Sequence, residues 1–87
     1  MDGQIKDRIA KLSDEQIRAE YKNSVKEAKR LAEQNQKIKA WLGASERVRR
    51  KTYQSVQEEI IKNTDLHFHI INAQYYLAEA RKRKIKL

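Results

Sequence analysis

An apolar pattern with the spacing of an α-helix runs from Ile17 to Leu42 and limits the fold of this chain more than any other feature. Its positions are separated by alternating steps of four and three residues, and they are Ile17, Tyr21, Ser24, Ala28, Leu31, Asn35, Ile38 and Leu42. A heptad spacing of this kind keeps one face of a helix towards a partner helix. The pattern therefore predicts one long, heptad-patterned helix over about residues 14–42, of the type found in coiled coils.

The composition favours further helices over strands. The 87 residues include no proline and two glycines, and 39% are hydrophobic while 37% are charged, which suits amphipathic helices. The predicted fold class is all-α: a small helical bundle in a single domain, residues 1–87, with a basic C-terminal tail over residues 81–87. A chain of this size buries only about 60 to 65% of the surface that its unfolded form exposes. We therefore expect a second copy to complete the core, as a dimer.

Local capping signals set the boundaries of the long helix. Ser13 and Gln16 are spaced as a capping box, in which each side chain bonds to the backbone of the other residue, so the helix is predicted to begin at Asp14. Gly43 is predicted to end it in the left-handed conformation, and Ser45 to cap the next helix.

Three further helices are predicted around the long one. A short first helix covers Asp2 to Lys11, the third runs from Ser45 to about Asn63, and Thr64 caps a fourth whose last turns become the basic tail. The residues predicted to face inward are Val48, Thr52, Val56 and Ile60 on the third helix, and Leu66, Ile70, Ala73, Leu77 and Ala80 on the fourth.

Asn35 stands at a core position of the heptad pattern. A buried amide there lowers stability but fixes the register and the number of chains by pairing with its own copy. The alternative is that Asn35 and Ser24 simply lie at the wet edges of an amphipathic helix.

Positive charge is concentrated in two segments of the chain. The net charge is +8, and the candidate nucleic-acid-binding residues are Arg47, Arg49, Arg50 and Lys51 at a helix start, and Arg81, Lys82, Arg83, Lys84 and Lys86 at the C-terminus. Cations packed this closely repel one another unless a polyanion neutralises them and releases its counterions. The clustering therefore indicates a nucleic-acid ligand.

The segment from Ile38 to Arg50 resembles the turn of small helix-turn-helix DNA-binding domains. It has the apolar-Gly-x-Ser turn, and it places the arginine cluster at the start of the following helix, where such domains contact bases and phosphates. It departs from that pattern at Arg49, which stands where an apolar inward residue is expected. The alternative is a plain helix hairpin with a solvated basic start. Trp41 and Tyr53 flank the turn and either stack on bases or fill the core.

Several classes of function are not expected. The chain has no cysteine, so no disulfide is expected. His67 and His69 would point about 200° apart on a helix, so they are not expected to share a metal ion. No nucleophile with a base, phosphate loop or paired carboxylates suggests an enzyme or a cofactor. No apolar run approaches the ~18 residues that span a bilayer, so we expect a soluble protein with no membrane partner, cytoplasmic or associated with the nucleoid.

The sequence supports two hypotheses of function. The first is a small dimeric DNA-binding protein, a regulatory or accessory factor, with DNA favoured over RNA as the ligand. The alternative is a helical protein-interaction module (an inhibitor, an adaptor or an assembly subunit) that binds an acidic protein or a nucleic-acid-processing enzyme through its basic face.

Overall fold

The structure, a computed structural model, describes the backbone of residues 2–87 and the side chains of residues 4–87, and this part of the chain is all-α as predicted. It contains five helices and no strand. They are α1 (Asp2–Ala10), α2 (Asp14–Leu31), α3 (Gln36–Leu42), α4 (Glu46–Lys62) and α5 (Thr64–Arg83). Among these residues, no helix combines the length and the apolar character that crossing a bilayer requires.

The predicted capping box at the start of α2 is confirmed. The Ser13 hydroxyl accepts from the Gln16 amide at 3.2 Å, and the Ser13 amide donates to the Gln16 side chain at 2.8 Å. Two otherwise unpaired amides are satisfied in this way, so α2 begins at Asp14. Helix α1 ends at Ala10, one residue before the predicted Lys11.

The prediction of one helix over residues 14–42 is wrong, because the chain turns at residues 32–35. Asn35 is the N-cap of α3: its side-chain oxygen accepts from the Ile38 amide at 3.1 Å, and its amide group donates to Glu59 of α4 at 3.3 Å. A short polar side chain that bonds locally to the backbone competes with helix continuation. Asn35 therefore caps a helix and does not occupy a position within one continuous helix.

The turn between α3 and α4 contains Gly43, Ala44 and Ser45. The Ser45 hydroxyl accepts from the Val48 amide at 3.3 Å, which confirms the predicted cap of α4. Gly43 has φ −80° and ψ −8°, a right-handed conformation, so the predicted left-handed end of the helix is wrong. This turn does not require glycine.

Asn63, rather than the predicted Thr64, caps α5. Its side-chain oxygen accepts from the Leu66 amide at 3.1 Å, and the same residue ends α4. A single residue therefore separates the two helices, which turns the chain sharply between them.

The core lies along α5 in two clusters of buried residues. The first, between α2, α3, α4 and the first half of α5, contains Ala28, Ala32, Ile38, Trp41, Leu42, Val56, Ile60, Leu66 and Ile70. The second, where α1 and the start of α2 meet the end of α5, contains Ile9, Ile17, Tyr76 and Ala80. The C-terminal helix thus supports both ends of the molecule.

The predicted inward faces are confirmed at five positions and wrong or only partly buried at the other four. Val56 and Ile60 are buried, and Leu66, Ile70 and Ala80 are buried on α5. Val48 is 46% exposed, and the exposed Thr52 hydroxyl donates to the Val48 carbonyl at 2.7 Å. Ala73 and Leu77 are only half-buried, because they line a groove described below.

Candidate functional site

The two basic segments of the sequence meet at Glu46, the first residue of α4. A carboxylate oxygen of Glu46 lies 3.5 Å from the Arg50 guanidinium and forms a second ion pair with Arg81 in the last turn of α5. The arginine side chains are 66% and 50% exposed, respectively. The start of α4 and the end of α5, more than 30 residues apart in the chain, therefore adjoin on one surface.

Three cations share one exposed arc at the start of α4. Successive helix residues are rotated by about 100°, which places Arg50, Arg47 and Lys51 within an arc of about 100°. Arg47 and Lys51 are exposed, and no hydrogen bond or ion pair within the described residues engages their side chains. This arc carries cations that remain available to a ligand.

Arg49 points inward instead. Its Nη1 donates to the carbonyl oxygens of Ala44 at 2.5 Å and Leu42 at 3.4 Å, while the Trp41 indole donates to the Arg49 carbonyl at 3.1 Å. The two bonds from the guanidinium satisfy one carbonyl at the end of α3 and one in the turn that follows it. Arg49 thus holds the α3–α4 turn, at the position where the helix-turn-helix comparison expected an apolar residue.

Arg83 is likewise used within the fold. It donates to the carbonyl oxygens of Leu12 at 2.7 Å and Ala10 at 2.9 Å, and to the carboxylates of Glu79 at 2.7 Å and Asp14 at 3.0 Å. The hydrogen bond with Glu79 raises the pKa of Arg83, Asp14 adds to this, and desolvation opposes it. Arg83 thus donates to backbone carbonyls at and just after the end of α1, and it is not free to bind a phosphate.

The basic tail folds back rather than extending. Lys84 adopts φ 61°, the left-handed conformation, and the Ile85 amide donates to the Ala80 carbonyl at 2.8 Å, which closes α5. Arg18 of α2 donates to the Lys86 carbonyl at 3.1 Å. The side chains of Lys84 and Lys86 are exposed, as is that of Lys82 on α5, so the folded tail still presents three lysines.

Of the two aromatic residues beside the turn, Trp41 fills the core. It is 7% exposed and packs against Tyr53, with ring centroids 5.8 Å apart. Stacking on a base would require an open ring face, which Trp41 does not offer. Tyr53 is half-buried and lines the groove beside the basic surface.

An apolar groove adjoins the basic surface, and the sequence patterns did not predict it. Its cavity volume is about 390 Å³, and it lies between α2 and α4 along α5. Tyr21 and Val25 line it from α2, Tyr53 from α4, and Ala73 and Leu77 from α5. Arg50 and Arg81 stand at one edge.

A row of lysines on α2, which was not among the predicted binding residues, lies beside the groove. Lys22, Lys26 and Lys29 line a shallow depression that shares Tyr21 and Val25 with the groove. Their spacing of four and three residues places them on one side of α2, and this regularity was a signal available in the sequence. Within residues 4–87, no three His, Asp or Glu side chains are placed to hold a metal ion.

Comparison with protein-family models, curated protein sequences and solved structures gave no match.

Proposed function

We propose that this protein binds nucleic acid, with duplex DNA as the favoured ligand, through the basic surface formed by the start of α4 and the end of α5. The observation that supports the proposal most strongly is the pairing of Glu46 with both Arg50 and Arg81. It joins two cationic segments into one surface, and a surface of this kind suits a ligand that repeats its negative charge along its length.

The contact residues are the predicted cations that the fold leaves on the surface. Arg49 and Arg83 hold helix ends, so they are excluded, and seven of the nine predicted residues remain: Arg47, Arg50, Lys51, Arg81, Lys82, Lys84 and Lys86. Lysines and arginines of this kind contact phosphates and position a duplex, while sequence is read by side chains at base edges. Arg47 and Arg50, in the first turns of α4, are the candidates for base contacts.

A regulatory or accessory role as a dimer fits this proposal. The long heptad helix that suggested a dimer is absent, but Ile61 and Phe68, near the α4–α5 corner, are 49% and 60% exposed. These two side chains are the candidates for a contact with a second copy. Sedimentation equilibrium of the Phe68→Ser variant tests this: a dimer that becomes monomeric supports the contact, and an unchanged state contradicts it.

The binding proposal is tested with a matched pair of charge variants. Arg47→Gln combined with Lys51→Gln removes two cations from the surface, whereas Lys37→Gln combined with Lys62→Gln removes two exposed cations from elsewhere. In a fluorescence-anisotropy titration with a random duplex of about 25 base pairs, we expect the first variant to bind at least about tenfold more weakly. Equal losses in both variants would show that net charge, not this surface, determines binding.

A further inference from the structure

The groove beside the basic surface is long enough to take a short helix along α5. Helices α2 and α4 both pack on α5, and the groove between them follows α5 from Ile70 to Arg81. The eleven steps between these two residues, at a rise of 1.5 Å each, give a length of about 16 Å, or three helical turns. We propose that the groove binds an amphipathic α-helix of a partner protein, one that carries acidic residues on both sides of its apolar face.

The floor of the groove suits the close approach of a helix. Ala73 and Ala78 are small, and Leu77 between them is half-buried although its position in the pattern is that of a core residue. Side chains of a docking helix would lie between such residues, as ridges pack into grooves in helical bundles. An added helix beside α2, α4 and α5 would complete the arrangement of a four-helix bundle and cover this half-exposed apolar surface.

The positive charges beside the groove determine which kind of helix could bind there. Lys22, Lys26 and Lys29 lie on α2 in a depression that shares Tyr21 and Val25 with the groove, Arg50 lines the groove from α4, and Arg81 lines it at the end of α5. The lysines have no ion-pair partner within the described residues, and Glu46 is shared between the two arginines. A helix with acidic residues on both sides of its apolar face would pair with both edges, which is the complementarity that guides helix-in-groove recognition.

The same charges argue against two other possible occupants of the groove, a second copy of this chain and a nucleic acid. A second copy of this chain would bring its own net charge of +8, which repels the cationic edges. A nucleic acid would match the edges but would leave the apolar floor, formed by Tyr21, Val25 and Leu77, without complementary surface. Because Arg50 and Arg81 belong both to the groove and to the basic surface, a docked acidic helix would compete with a nucleic acid.

The test uses three fluorescent peptides of about 16 residues and two protein variants. The first peptide has leucines on one helical face and glutamates beside them, the second has lysines instead of the glutamates, and the third has serines instead of the leucines. Ala78→Glu places an acidic side chain at an exposed position in the groove, and Ala19→Glu makes the same change at an exposed position of α2 outside it. Circular dichroism checks that both variants fold.

We expect the wild-type protein to bind the first peptide and neither of the others. Ala78→Glu should weaken this binding at least about tenfold, because it adds bulk and like charge to the groove, while Ala19→Glu should change it less than about twofold. The proposal is overturned if the first peptide does not bind, or if the serine peptide binds equally well, since binding would then be electrostatic only. It is also overturned if Ala78→Glu abolishes self-association, or weakens duplex binding as strongly as peptide binding.

Discussion

The guanidinium of Arg83 lies 2.7 Å from the carbonyl oxygen of Leu12, so the last residue of α5 closes the segment that follows α1. The two residues are 71 positions apart in the chain. Carbonyl groups at a helix end need a donor from outside the helix, and here the donor comes from the other end of the protein. This contact explains why one arginine of the basic tail is withdrawn from the surface.

Replacing Arg83 should therefore destabilise the fold. In Arg83→Met, the carbonyls of Ala10 and Leu12 and the carboxylates of Glu79 and Asp14 lose a shared donor. We expect a lower thermal unfolding midpoint by circular dichroism, and a much smaller change in Lys82→Met, whose side chain is exposed. Equal midpoints for the two variants would show that the Arg83 contacts contribute no stability.

Gly43 should be replaceable with a gain in stability. Its φ of −80° suits any L-residue, and an added Cβ would meet only the Ala40 and Lys39 carbonyl oxygens, at 3.6 and 3.7 Å. Alanine restricts the unfolded chain more than glycine does, so we expect Gly43→Ala to raise the free energy of unfolding by about 0.4 to 1 kcal/mol. Urea titration measures this, and a loss of stability would mean that the turn needs a conformation other than the right-handed one.

The cap at Asn63 should contribute measurably to stability. Its side-chain oxygen satisfies the Leu66 amide, so we expect Asn63→Ala to cost about 1 kcal/mol. Asn23→Ala, at an exposed position within α2, provides the control and should be neutral or slightly stabilising, because alanine favours helix interiors. Chemical denaturation measures the free energy of unfolding of both variants. An unchanged value for Asn63→Ala would mean that water replaces the cap without loss of stability.

Stability should fall at alkaline pH in part through Tyr76. Burial raises the pKa of the Tyr76 phenol above its ordinary value of 10.0, and Glu20 raises it further, while Arg8 acts in the opposite direction. Above about pH 10 the unfolded state loses this proton before the folded state does, so the stabilisation is complete below that pH and is lost as the pH rises.

The Tyr76→Phe variant isolates this contribution. Between about pH 8 and about pH 10.5, we expect its free energy of unfolding to decline less than that of the wild type. Parallel pH profiles for wild type and Tyr76→Phe would contradict the assignment.

Several features set by neighbouring residues were predictable from the sequence, although the conformation of Gly43 and the cap of α5 were predicted wrongly, and features set across the fold were not predictable. The caps at Ser13 and Ser45 depend on amides three residues away, and both predictions are confirmed. The break before α3 is stabilised partly by Glu59, which lies 24 residues from Asn35. A heptad pattern could not reveal that contact, since the pattern records only positions along one helix.

The same distinction applies to the candidate site. Counting cations identified the basic segments, but it could not show that Arg49 and Arg83 donate to backbone carbonyls, because those carbonyls become neighbours only in the folded chain. Nor could it show that Glu46 joins Arg50 with Arg81. The lysine row on α2 could have been found, since its helical spacing is visible in the sequence.

The salt dependence of duplex binding tests the central claim most directly. The affinity of the wild-type protein for a random duplex of about 25 base pairs is measured by fluorescence anisotropy at several salt concentrations between about 50 and 200 mM. Phosphate contacts by most of the surface cations predict a slope of log affinity against log salt between about −3 and −6. A slope near zero, or no binding at the lowest salt, would contradict nucleic-acid binding by this surface.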